Sequence, residues 1–78
     1  MKKIQILGTG CPKCKQLAAN ARTALELLGL SAEIEKVENI QDILKFGVMT
    51  TPALVVDGRI QSAGRVLSAE QIAELLKS

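Results

Sequence analysis

Histidine, tryptophan and tyrosine are all missing from this chain, and Phe46 is its single aromatic residue. Without histidine there is no ready general base near neutral pH, and a frequent metal ligand is gone. Without tryptophan or tyrosine there is no platform on which bases or sugars could stack. Nucleic-acid binding of that kind is excluded, and the small basic cluster described below lacks aromatic interleaving. No apolar stretch approaches the length of a membrane span. Met1-Lys2-Lys3 has the charge of a leader peptide, but the apolar run after it is short and broken by Gln5. The expected location is therefore cytoplasmic, where isolated structural disulfides are uncommon.

Acid is also missing from one end. Residues 1–22 carry Lys2, Lys3, Lys13, Lys15 and Arg22 and no Asp or Glu, whereas all eight acids lie beyond them. The net charge of +2 hides this polarity. The positive end also holds both cysteines, and a positive field there favours thiolate at Cys11, with Lys13 the nearest contributor.

What remains is an ordinary globular composition: 78 residues, 47 % apolar and 23 % charged. That is one domain, 1–78, near the lower limit for folding without disulfides or metal. Its core has to be almost wholly aliphatic.

The stretch Gly8-Thr9-Gly10-Cys11-Pro12-Lys13-Cys14-Lys15 organises the rest. It follows an alternating strand pattern, Lys3 to Leu7, and opens the longest helical pattern. Pro12 suits the first helical position, where its missing N–H costs nothing. Cys14, Leu17, Ala18, Ala21, Ala24, Leu25 and Leu28 then recur at helical spacing, and Gly29 is the natural stop. Cys14 therefore falls on a buried stripe, while Cys11 precedes the helix and is expected to be exposed. A helix start supplies free N–H groups and positive partial charge, both of which stabilise a thiolate. A Cys-x-x-Cys pair at such a junction points to dithiol–disulfide chemistry. As a structural staple it would be poor, since so short a loop contributes only about 2 kcal/mol.

Ser31 to Val37 reads as a second strand, parallel to the first across the helix. Asn39 caps a short helix through Phe46 with Ile40, Ile43 and Leu44 inward and Gly47 at its end. Ala53–Val56, Asp57-Gly58 and Arg59–Ala63 form a hairpin pattern, because Asp-Gly supplies the positive φ angles of a tight turn. Gly64 ends the fourth strand. Ser68 and Gln71 fit a capping box, and Ile72, Ala73 and Leu76 give the last helix its inner face. The order is βαβαββα. Read from spacing alone, Thr51-Pro52 is a turn before a buried strand.

Taken together, the cysteine pair after strand one, this element order and Thr51-Pro52 before the hairpin resemble the thioredoxin superfamily. The likeness spans the chain, in a minimal form without the extra N-terminal strand and helix of full thioredoxins. More narrowly, the chain is similar to small archaeal and bacterial thioredoxin/glutaredoxin-like redox-active disulfide proteins. That resemblance implies an α/β fold with a four-stranded mixed sheet, strand order second, first, third, fourth, and helices on both faces. It implies a cis peptide before Pro52, facing the cysteines. It also implies Cys11 as nucleophile and Cys14 as resolver, supported by Gly10, Pro12 and Lys13. Thr51, Pro52 and Gly64 would meet the substrate. The implied activity is an oxidoreductase exchanging disulfides with protein or small-thiol partners as a monomer. It would need an electron donor, but no cofactor beyond the reversible Cys11–Cys14 disulfide and no nucleic acid or membrane.

Departures from the family pattern are visible. Gly10 stands where thioredoxin has Trp, Pro12-Lys13 replaces Gly-Pro, and Lys13 replaces a Tyr usual in glutaredoxins. Strand one carries no acid beneath the pair. A rival reading is a soft-metal carrier, since Gly8–Cys14 also resembles the metal loop of small copper chaperones and two thiolates suit Cu(I). Those chaperones run βαββαβ and end on a strand, so topology separates the two. A partner-binding adaptor with unused thiols is the third reading.

Overall fold

The computed structural model describes residues 2–77. Its elements are β1 (Lys2–Leu7), α1 (Pro12–Leu28), β2 (Ala32–Val37), α2 (Ile40–Lys45), β3 (Ala53–Val56), β4 (Arg59–Ala63) and α3 (Ala69–Lys77). The four strands form one sheet in the order β2-β1-β3-β4, with β1 and β2 parallel and the hairpin antiparallel to them. This is the βαβαββα order with the mixed sheet expected from the residues, not the βαββαβ order of the copper-chaperone reading.

Alternation along each strand sorts the core into two layers. Ile4, Ile6, Leu54 and Val56 face α1 and α3, meeting Leu17, Ala18, Ala21, Ala24 and Leu25 from one helix and Ile72, Ala73 and Leu76 from the other. Alanines on the inner stripe of α1 let that helix lie close to the sheet. Leu7, Val37, Ala53 and Val55 face the other way, onto Ile43, Val48 and Phe46. Because both faces of β3 are covered, its four residues are all buried, and a continuous apolar run is what such a strand requires. Farther from α2 the second face is polar, where Gln5 donates to Glu35 at 2.9 Å and Lys3 lies 3.9 Å from the same carboxylate.

Local chemistry fixes the ends. Gly29 takes a left-handed φ of 64° and, with Leu30, returns N–H groups to Glu26 and Leu25, closing α1. Asp57 and Gly58 adopt φ values of 51° and 82°, the pair of positive angles a primed two-residue turn needs. At α3, the Ser68 N–H donates to Gln71 Oε1 at 2.9 Å and the Gln71 N–H donates to Ser68 Oγ at 3.2 Å, a reciprocal capping box. Ser68→Ala removes one half of it. The expected cost is about 1 kcal/mol, read as a thermal midpoint lowered by about 4–8 °C; an unchanged midpoint would show that the cap contributes nothing.

Two expectations are corrected. Ile40 and Leu44 do not point inward; they are 61 % and 56 % exposed. α2 is only six residues long, less than two turns, so Ile43 alone reaches the sheet from it and Phe46, just beyond, packs where Leu44 was expected. The hairpin also carries an irregularity: Leu54 pairs with Ser62 but Val55 with Ile60, leaving Gln61 as an extra residue in the edge strand. No helix among the described residues is long and apolar enough to cross a membrane.

Candidate active site

β1 ends at Leu7, and the chain then has to clear the first turn of α1. Gly8 makes this possible. It is buried, its N–H donates to Val37 O at 3.0 Å, and a Cβ added to it would overlap the Cys14 sulfur. That Cβ would also stand 3.1 Å from Cys14 Cβ and 3.9 Å from Pro52 Cα. Gly8 therefore leaves the space in which the Cys14 thiol sits, between β1 and the loop before β3. Gly10, at φ 87°, turns the chain into the helix.

Cys11 is the N-cap of α1. Its backbone is extended (φ −67°, ψ 163°), Pro12 occupies the first helical position, and Lys15 N–H donates to Cys11 O at 3.0 Å. The Cys11 sulfur folds back to accept the Cys14 N–H at 3.3 Å, taking the place a Ser or Asp oxygen holds at most helix starts. This posture leaves Cys11 partly rather than fully exposed, while Cys14 is 5 % exposed. Both are thiols.

The two sulfurs differ in acidity for reasons visible in that geometry. Hydrogen bonds from the Cys14 thiol, then from the Cys14 backbone N–H, hold Cys11 below the ordinary thiol range. Burial pushes Cys14 up, and donating its proton to Cys11 pushes it further. The Lys13 backbone N–H lowers Cys11 further, while the Lys13 side chain is exposed. One thiol is partly exposed and the more acidic, and its neighbour is buried and the less acidic.

The Thr51-Pro52 peptide is cis, Pro52 is buried, and Thr51 is exposed. Pro52 O accepts the Gly64 N–H at 2.8 Å. Gly64, at φ 74°, lies so near Thr50 that a Cβ there would meet Thr50 Oγ1 at 3.0 Å. Cys14, Gly8, Pro52 and Gly64 thus form a contiguous row, whereas the Lys13 side chain stands out in solvent.

Beside Cys14 a pocket of about 50 Å³ opens between α1 and the ends of β1 and β2, lined by Ile6, Gly8, Gly10, Cys14, Lys15, Lys36 and Glu38. A Cβ added at Gly10 would stand 3.1 Å from Glu38 Oε2, so the carboxylate overhangs the loop that leads into Cys11. No polar or charged residue is buried among the described residues, and none of them group as three or more His, Cys, Asp or Glu around a metal position.

Residues 2–77 match the family model described as the thioredoxin domain. The chain belongs to the thioredoxin family. A thioredoxin of Methanothermobacter thermautotrophicus is 47 % identical over 76 residues, covering 97 % of this chain and 99 % of the relative. One from Methanocaldococcus jannaschii is 45 % identical over 78 residues, covering 100 % and 90 %. Among solved structures, thioredoxin-2 of the malaria parasite, a component of its protein secretion machinery, superposes with a TM-score of 0.75 at 15 % identity over 99 % of this chain and 82 % of that one. Glutaredoxin 1 from Francisella tularensis, solved with cacodylate, gives 0.51 at 16 % identity over 100 % of both. At those identities the structures speak for the thioredoxin fold alone. The close sequence relatives carry the activity: this chain is a thiol–disulfide oxidoreductase of the thioredoxin type.

Reading the sequence by motif gave Gly8 only as part of the stretch before the helix and passed over Lys36 and Glu38. Gly8 looks like an ordinary turn residue, and its role depends on which atom fills the space beside it. Glu38 did leave a signal. Leu7 pairs with Val37, so the residues that follow them, Gly8 and Glu38, leave parallel strands at the same end of the sheet.

Proposed function

We propose that Cys11-Pro12-Lys13-Cys14 is the working dithiol and that it reduces disulfides of protein or small-molecule partners. The observation that carries this reading is the inequivalence of the two sulfurs: one caps a helix with a lowered pKa, the other is buried with a raised one. The Cys11 thiolate attacks one sulfur of the partner disulfide, a mixed disulfide forms, and the partner's other sulfur leaves as thiolate. Cys14 then attacks Cys11, the Cys11–Cys14 bond closes, and the partner is released fully reduced while this chain holds the disulfide. An electron donor reverses the change, so no further cofactor is needed.

In the same reading Thr51 offers its exposed backbone to an extended partner segment, a short form of strand addition beside Pro52 and Gly64. Gly10 and Pro12 shape the approach to Cys11, and Lys13 faces the partner. Residues 1–78 act as one domain and one copy in a reducing, cytoplasmic setting.

The test is equilibration of metal-free reduced protein in buffers of graded dithiol/disulfide ratio, with thiol trapping. The expected result is loss of both thiols together, as one intramolecular disulfide at a single midpoint. Thiols that remain trappable throughout, or that oxidise independently of each other, would overturn the reading.

A further inference from the structure

The segment from Gly64 to Leu67 borders the row that runs from Cys14 through Pro52, and it is pinned at each end by a different partner. At its start the Gly64 N–H donates to Pro52 O at 2.8 Å. At its end the Leu67 side chain is buried in the layer between the sheet, α1 and α3. The Leu67 carbonyl sits just outside α3. In a longer helix the Gln71 N–H, four residues on, would serve it, but that N–H donates to Ser68 Oγ at 3.2 Å. The helical ladder starts one residue later, with Ile72 N–H on Ser68 O at 3.0 Å. Leu67 O is served from α1 instead, by Asn20 Nδ2 at 2.8 Å. Asn20 Oδ1 in turn accepts from Gln16 Nε2 at 2.9 Å, one turn earlier on the same helix. With both ends of the Asn20 amide engaged, its orientation is fixed.

We propose that Asn20 is a positioning residue for polypeptide partners: by holding the Leu67 carbonyl to α1, it sets where the Gly64 segment and the Thr51-Pro52 edge lie relative to the dithiol. This rests on the reading above that Thr51, Pro52 and Gly64 receive the partner. Asn20 stands about 9 Å along the helix axis from Cys14, too far to touch the reacting sulfurs, so it acts through the segment it holds. The span between the two anchors is short. Arg65 and Val66 alone separate Gly64 from Leu67, and both are exposed, so a shift at Leu67 reaches Gly64 with little slack. Gly64 has no side chain to hold it in place, and its own anchor is the bond to Pro52 O. Freed at Leu67, the segment would swing on that bond and carry the Pro52 carbonyl with it. A partner laid along Thr51 as an added strand depends on hydrogen bonds that tolerate only a few tenths of an ångström. A small disulfide needs none of them, because it reaches Cys11 directly. The helix that carries the reagent thus also carries the brace for the surface that presents the partner to it.

The experiment compares two substrates on the full reduced chain: dithiobis(nitrobenzoate), a small disulfide, and insulin, whose disulfides lie in polypeptide. Asn20→Ala removes the donor to Leu67 O, and Asn20→Asp keeps the size but places an acceptor there. For both, KM for insulin is expected to rise about fivefold or more, with kcat held within about twofold. The first thiol release from dithiobis(nitrobenzoate) is expected to keep the parental rate. Gln16→Ala, which frees the amide without removing it, is expected to raise KM by a smaller factor. Amide hydrogen exchange at Gly64 is expected to speed by about tenfold in Asn20→Ala while the amides of β1 keep their protection. That local readout holds even where a variant is less stable. A merely structural role would lower the thermal midpoint and leave KM for insulin and the exchange at Gly64 relative to β1 as they were, and that result overturns the proposal. A parent protein that attacks dithiobis(nitrobenzoate) but does not turn over insulin is a different failure, one that removes the docking reading and this proposal with it.

Discussion

Cys11→Ser is expected to abolish disulfide reduction outright, while Cys14→Ser is expected to stop the reaction one step later. A serine hydroxyl forms no bond to sulfur under these conditions, so without Cys11 no mixed disulfide arises. Serine is also a favoured N-cap, so the same substitution keeps the start of α1 intact and the loss is chemical and not structural. Cys14→Ser leaves the nucleophile in place but removes the group that would displace the partner, and the mixed disulfide accumulates. Mass spectrometry under acid quench reads both outcomes: no adduct for the first variant, a stable one-to-one adduct for the second. Sustained turnover by both would remove the division of labour inferred from their burial and acidity.

Gly8→Ala carries the second large effect, and it separates redox closure from folding. The added methyl would overlap the Cys14 sulfur and crowd its Cβ, so the thiol has to rotate out of its present position. Overpacking of this kind costs about 1–3 kcal/mol of stability, enough to lower a denaturation midpoint without preventing folding. The chemistry is more sensitive, since a displacement of about 1 Å at a reacting atom can cost a hundredfold in rate. Closure of the Cys11–Cys14 disulfide is therefore expected to slow by about two orders of magnitude, while alkylation of Cys11 proceeds at its usual rate. Quenched thiol counting against time measures the first, and single-site alkylation the second. Closure at the parental rate would mean that Gly8 does not set where the second sulfur lies.

Much of this architecture is legible in the residues because punctuation and periodicity agree. Pro12 and Gly29 bracket the helix whose apolar stripe holds Leu17, Ala21 and Leu25, and the structure ends α1 at Leu28, within that bracket. Asp57-Gly58 and Ser68 with Gln71 behave as their side chains dictate. What stayed hidden depends on distance in space and not in sequence. Ile40 and Leu44 follow a helical spacing, but a helix shorter than two turns has too little contact to bury all its apolar residues. The extra residue Gln61 answers to the twist of the sheet edge and leaves no mark in composition. The cysteine pair declares itself by spacing, whereas the pocket beside it exists only because the chain crosses over through α1, returns β2 alongside β1 and brings Glu38 to the same rim.

The capping sulfur of α1 ties electron count to backbone order. A helix start ordinarily draws its cap from a side chain that does nothing else, but here the cap is also the proposed nucleophile. In the proposed cycle Cys11 takes on a partner, and the amide of Cys14 then loses some of the charge it points at in the dithiol. The opening turn of the helix is therefore expected to be tightest in the resting dithiol and to slacken in the mixed disulfide, which amide hydrogen exchange at Cys14 would read.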